Sequence, residues 1–164
     1  MINEKMRKAA SAVLDLCRAR RLKIATAESC TGGLVAGALT EIAGSSDVFD
    51  RGFVTYSNAA KQQVLGVSAD ILREHGAVSR ETAEAMARGA LGKSSAYLVV
   101  AITGIAGPGG GGPGKPVGLV HFAASTRAGA LTHHEARYGE IGRAQVREKS
   151  VLQALTMLRE MAEA

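Results

Sequence analysis

The sequence predicts an α/β fold, a three-layer α/β/α sandwich on a mixed, mainly parallel sheet that ends in a C-terminal hairpin. Three observations carry this. Strand-like and helix-like stretches alternate from residue 3 to residue 91, the pattern of parallel strands joined by helices. The run Ala96-Tyr97-Leu98-Val99-Val100-Ala101-Ile102-Thr103 is unbroken and apolar, as in a strand buried on both faces at the centre of a sheet. Two β-like stretches, about 117–125 and 131–138, then flank Thr126-Arg127-Ala128-Gly129, a spacing that suits a hairpin.

Residues 3 to about 20 form an amphipathic helix, with Met6, Ala9, Ala10, Val13, Leu14, Leu16 and Cys17 inward and Arg18, Arg20 and Arg21 at the C-terminal end. A strand at about 22–27 leads into Ala27-Glu28-Ser29-Cys30-Thr31-Gly32-Gly33, and a helix is predicted from 31 to 43, closed by Gly44-Ser45-Ser46. Residues 48–56 are β-rich and stop at Ser57-Asn58, a helix start for 59–65. Ser68 caps a short helix to about Glu74, and Ser79 and Thr82 sit in the first turn of a longer one over 80–91. The last helix is predicted from about 142 to 162, with Val146, Val151, Leu152, Leu155, Leu158 and Met161 on one stripe.

With 164 residues the chain is expected to form a single domain that buries roughly two-thirds of its unfolded surface. Hydrophobic residues make up 46% and charged residues 21%, an ordinary globular composition. No apolar run reaches the ~18 residues that span a bilayer, and Met1 to Met6 hold no signal-peptide core, so a cytoplasmic location without a membrane partner is expected. Cys17 and Cys30 provide neither a disulfide framework nor metal-ligand spacing. The net charge of +5 leaves room for an anionic partner. The absence of Trp and of any Lys/Arg run argues against nucleic acid and leaves a small phosphorylated ligand as the better match.

The stretch around Ser29 places a hydroxyl and a thiol at a strand-to-helix turn, beside unpaired N–H groups and the positive end of a helix dipole. That position suits a nucleophile with an oxyanion hole or a phosphate cradle, and equally plain N-capping by Ser29 or Thr31. Cys30 is a rival nucleophile, since a thiol at a helix N-terminus gains acidity. Lys61, on a short helix just after Tyr56-Ser57-Asn58, can act as base for a serine once burial lowers its pKa; an exposed surface lysine is the alternative. Arg143 and Arg147 share one face of the last helix near its start, where an anion between two guanidiniums would offset their repulsion, as would Glu140 or Glu148.

Two apparent motifs fail on physical grounds. Gly109 to Lys115 matches the spacing of a phosphate-binding P-loop, but Pro116 and a strand follow where Ser/Thr and a helix are required. The four glycines instead form a loop at the end of the central strand, where α/β sheets place ligands. His133 and His134 are neighbours on a strand and point to opposite faces, so they do not share an ion. No metal site is expected.

Taken in order, Ala27-Glu28-Ser29-Cys30-Thr31-Gly32-Gly33, Thr55-Tyr56-Ser57-Asn58 with Lys61, Gly76-Ala77-Val78-Ser79, Gly104-Ile105-Ala106-Gly107-Pro108, Lys115-Pro116-Val117-Gly118 and the Arg143-x-x-x-Arg147 helix span nearly the whole chain. This ordered set resembles the C-terminal domain of the competence/damage-inducible CinA family, the nicotinamide-nucleotide amidases. The resemblance implies a five-stranded mixed sheet, self-association, and metal-free, cofactor-free hydrolysis of the carboxamide of nicotinamide mononucleotide by a Ser/Lys mechanism. Carried over residue by residue, it implies Ser29 as nucleophile, Lys61 as general base and Tyr56 as the group that relays or orients the proton. Cys30, Thr31, Gly32, Thr103, Gly104, Arg143 and Arg147 are the expected substrate-binding positions. The family often has Gly-Asp-Arg before the last helix, whereas this chain has Gly139-Glu140-Ile141-Gly142-Arg143. The resemblance also implies that any activity of the N-terminal molybdopterin-binding-like domain found in many relatives is absent here. A non-catalytic nucleotide-binding or adaptor module linked to competence is the alternative of a different class.

Overall fold

The computed structural model describes all residues, Met1–Ala164. A five-stranded sheet with spatial order β2-β1-β3-β4-β5 is built from β1 (Ile24–Glu28), β2 (Phe49–Val54), β3 (Leu98–Gly104), β4 (Leu119–Thr126) and β5 (Leu131–Arg137). β1 pairs in parallel with β2 and β3, and β4 pairs antiparallel with both β3 and β5. Four strands therefore run one way and only β4 runs the other, the predicted mixed, mainly parallel sheet. β3 is central, and its residues Leu98 to Thr103 are buried on both faces as the apolar run requires.

Six helices sandwich the sheet: α1 (Glu4–Ala19), α2 (Leu34–Thr40), α3 (Asn58–Leu65), α4 (Ala69–His75), α5 (Arg80–Gly92) and α6 (Arg143–Glu163). Alternation along the strands divides the core between two layers. Ile24, Leu98, Val100, Ile102, Val120 and Phe122 face α1, α2 and α6. Ala25, Ala27, Val99, Ala101 and Ala123 face α3, α4 and α5. Small residues on this second face let α5 approach closely. A Cβ on Gly89 would stand 1.9 Å from the Leu65 carbonyl oxygen, so α3 and α5 touch backbone to side-chain-free backbone.

The predicted Ser68 cap forms, its Oγ accepting from Ile71 N–H, and two further serines at helix starts cap in the same way, Ser57 Oγ accepting from Ala60 N–H and Ser79 Oγ from Thr82 N–H. The first strand's helix differs from expectation. α2 begins at Leu34 rather than near Thr31, because Gly32 (φ +58°) and Gly33 (φ +98°) adopt left-handed backbone that a right-handed helix cannot contain. Neither Ser29 nor Thr31 caps it. The buried Glu28 side chain does so instead, accepting from Val35 N–H at 2.9 Å and Ala36 N–H at 3.0 Å.

Outside the site, Cys17 lies in the core, where burial pushes its thiol up to about 11. His133 and His134 point to opposite faces as predicted. His134 tilts against Phe122, while His133 stacks on His121 with Nε2 2.9 Å from His121 Nδ1. His121 thus has a cross-strand partner that sequence spacing does not reveal. No group of three or more His, Cys, Asp or Glu side chains is placed to hold a metal ion, and no helix is long and apolar enough to cross a membrane.

Candidate active site

β1 delivers Ser29 to the C-terminal edge of the sheet. Its N–H donates to the Ile102 carbonyl at 2.9 Å, which extends the β1–β3 pairing by one residue and fixes the Ser29 backbone to the central strand. The chain then turns sharply, and Gly32 N–H donates back to the Ser29 carbonyl at 2.9 Å. Thr31 Oγ1 donates to the Glu28 carboxylate at 2.7 Å, so one acidic side chain secures both the turn and the start of α2.

α3 brings Lys61 to the same point. The Ser57 cap sets the helix phase, and Lys61 lies on the inward face with Leu65. Only 1% of Lys61 is exposed. Its Nζ lies 3.0 Å from Ser29 Oγ and donates to the Thr55 carbonyl at 2.9 Å and the Tyr56 carbonyl at 3.4 Å. The two carbonyls can only accept. A neutral amine gives them its two N–H groups and keeps its lone pair for the Ser29 hydroxyl, whereas an ammonium would donate to all three oxygens. Both protonation states are therefore satisfied in place, as a proton acceptor requires. Burial pushes the Lys61 ammonium below the ordinary lysine value, because desolvation penalises its charged form.

Ser29 and Lys61 open onto a cavity of about 230 Å³. Cys30, Tyr56, Thr103, Gly104 and Arg143 share its lining, together with Ala77, Val78 and Gly107. Thr103 Oγ1 donates to the Ala77 carbonyl at 2.7 Å, tying the end of β3 to the loop before α5. Gly104 permits the close approach of β4, since a Cβ there would stand 2.7 Å from Val120 Cγ2. The Tyr56 ring is exposed, and its hydroxyl accepts from the Arg143 guanidinium rather than facing Ser29; its carbonyl is what meets Lys61.

Thr31, Gly32 and Arg147 lie behind the turn instead of lining the cavity. Arg147 donates to the Cys30 carbonyl at 3.2 Å and the Thr31 carbonyl at 3.3 Å, while Arg143, one helical turn earlier, donates to the Gly107 carbonyl at 2.8 Å. The two guanidiniums thus diverge to separate partners. Cys30 is 95% buried, and that burial pushes its thiol up to about 12, against the acidity expected of a thiol at a helix N-terminus. The Cys30 and Thr31 N–H groups have no acceptor in the protein. Sequence reasoning missed Glu28 and Thr55 as contributors. The available signal for Glu28 was a charged residue ending an otherwise apolar strand, just before the positive end of a helix.

Comparison with known proteins agrees with this architecture. Residues 6–162 match the family model described as the CinA C-terminal domain. A CinA-like protein from Synechococcus sp. is 51% identical over 151 residues, 92% of this chain and 36% of that protein. Another from Mycolicibacterium vanbaalenii is 53% identical over 136 residues, 83% of this chain and 32% of that protein. The chain therefore spans about a third of the length of these relatives. The crystal structure of the competence/damage inducible protein CihA from Agrobacterium tumefaciens superposes with a TM-score of 0.97 at 53% identity, covering 100% of this chain and 99% of that one. A CinA superfamily protein from Escherichia coli superposes with a TM-score of 0.91 at 33% identity, covering 98% and 94%. The chain belongs to the CinA C-terminal domain family.

Proposed function

We propose that this chain is an amidohydrolase that converts nicotinamide mononucleotide to nicotinate mononucleotide and ammonia. The observation that carries the reading is the buried lysine amine 3.0 Å from a serine hydroxyl at the floor of an open cavity. Such a pair is equipped for acyl transfer, because a desolvated lysine can take the proton that activates serine.

In this mechanism Ser29 Oγ attacks the carboxamide carbon as Lys61 Nζ takes the hydroxyl proton. The carbonyl oxygen becomes an oxyanion beside the unbonded Cys30 N–H. Lys61 returns the proton to the amide nitrogen, the C–N bond breaks, and ammonia leaves an ester on Ser29. Water then attacks the ester carbon while Lys61 takes its proton, and nicotinate mononucleotide departs as Ser29 recovers its hydrogen. The Arg143 guanidinium at the cavity wall supplies cationic donors for the phosphate. The choice of nicotinamide mononucleotide rests on the family resemblance, and the cationic Arg143 in the cavity lining accords with it.

Ammonia release from nicotinamide mononucleotide by wild type, Ser29→Ala and Lys61→Ala tests the reading. Turnover by wild type that collapses in both variants supports it. Binding of the mononucleotide without ammonia release would replace it with a nucleotide-binding module.

A further inference from the structure

Arg147 contacts the nucleophile turn without lining the cavity, and what it grips are carbonyl oxygens. In a trans peptide the C=O and N–H groups point in opposite directions. Because α6 draws the Cys30 carbonyl toward Arg147, the Thr31 N–H of that same peptide is turned away from α6. The preceding peptide is set by a second bond: the Ser29 carbonyl accepts from Gly32 N–H, so the Cys30 N–H points outward from the turn. Both N–H groups are left without acceptors immediately after Ser29, Cys30 in the cavity lining and Thr31 one residue behind it. Two further features build the site for this purpose. A Cβ on Gly32 would stand 3.2 Å from the Arg147 guanidinium, so a glycine makes room for it. Glu28 holds Thr31 from the opposite side through its hydroxyl.

We propose that Arg147 is a positioning residue that shapes the oxyanion hole by holding the Cys30 and Thr31 carbonyls back, rather than a ligand of the substrate phosphate. The proposal rests on Ser29 being the nucleophile. Lysine does not substitute for arginine here, because the two carbonyls are met by two different nitrogens of the planar guanidinium, Nε and Nη2, and a lysine side chain ends in a single point donor. The effect belongs to the transition state: kcat falls while ligand binding does not.

The test uses a fluorophosphonate, which needs no assumption about the natural substrate. Ser29 Oγ forms the bond to phosphorus, the P–F bond breaks, fluoride leaves, and Lys61 accepts the hydroxyl proton. The rate of labelling at Ser29 is measured for wild type, Arg147→Ala and Arg147→Lys, alongside the Kd for nicotinate mononucleotide. Labelling about 10- to 100-fold slower in both variants is expected, with the Kd unchanged within about twofold and partial rescue of Arg147→Ala by millimolar guanidinium. If Arg147→Ala does not fold, Arg147→Lys decides alone, since it keeps the charge and apolar stem. Labelling at the wild-type rate, or a rise in Kd with the rate intact, overturns the positioning role and leaves the amidase reading standing. Wild type that is not labelled at Ser29 overturns the nucleophile and this role with it.

Discussion

The Arg143 guanidinium donates to the Tyr56 hydroxyl at 2.9 Å, linking the start of α6 to the end of β2 across the cavity. Arg143 also reaches the Gly107 carbonyl, so three separate segments converge on one cation. Under the proposed function this cation meets the phosphate. Arg143→Ala is expected to raise KM for nicotinamide mononucleotide about tenfold or more, the equivalent of one charge-assisted hydrogen bond. Steady-state kinetics with nicotinamide riboside, which lacks the phosphate, provide the control, where the variant and wild type should differ little. Equal losses on both substrates would remove the phosphate from the role of Arg143.

Desolvation of Lys61 ties the stability of the fold to pH. Its folded pKa lies below the ordinary lysine value, so between the two the unfolded chain binds the extra proton. Stability from this group therefore grows as pH rises through that window and is lost as pH falls through the folded pKa. Thermal unfolding of wild type and Lys61→Met across pH 7 to 10 should show wild type gaining on the variant as pH rises. A constant or narrowing difference would mean that Lys61 is not destabilised as an ammonium. The rate should follow the same ionisation, rising as Lys61 loses its proton.

Glu28 connects fold to site. Removing it in Glu28→Ala leaves the buried Val35 N–H, the part-buried Ala36 N–H and the Thr31 hydroxyl without an acceptor. A loss of about 3 kcal/mol is expected, a fall in Tm of roughly 10 °C for a domain of this size. Glu28→Gln keeps one acceptor oxygen and should fall between the two. Differential scanning calorimetry measures both.

Gly89 reverses a familiar rule. Glycine within an exposed helix usually costs about 1 kcal/mol relative to alanine. Here the added methyl would overlap the Leu65 carbonyl, and so Gly89→Ala should destabilise by about 1–3 kcal/mol instead. Because α3 carries Lys61, the same shift should slow turnover. A more stable Gly89→Ala protein would show that the α3–α5 contact is looser than described.

Local signals were readable in the chain, and long-range ones were not. The serine caps at 57, 68 and 79 depend on donors three residues away, and the buried β3 on seven consecutive residues, so both could be read from short windows. The start of α2 was misplaced because hydrophobic periodicity cannot reveal that Gly32 and Gly33 take left-handed backbone. Ser29 and Lys61 are 32 residues apart, and nothing in either segment demands the other. Residue chemistry makes Lys61 a candidate base and the family resemblance pairs it with Ser29, while the geometry follows from parallel strands β1 and β2 ending at the same edge. The Arg147 contact, 117 residues from Cys30, depends on how α6 packs and had no local trace. Its neighbour at i−4 suggested a shared anion, but the two side chains reach different backbone carbonyls.

The central claim is that Ser29, served by Lys61, carries the acyl group. Mass spectrometry of wild type quenched during turnover of nicotinamide mononucleotide, with the modified side chain located by fragmentation, tests it most directly. An ester of nicotinate mononucleotide on Ser29 Oγ, absent from Ser29→Ala and from Lys61→Ala, is the predicted result. An adduct on Cys30, or sustained turnover by Ser29→Ala, would contradict it.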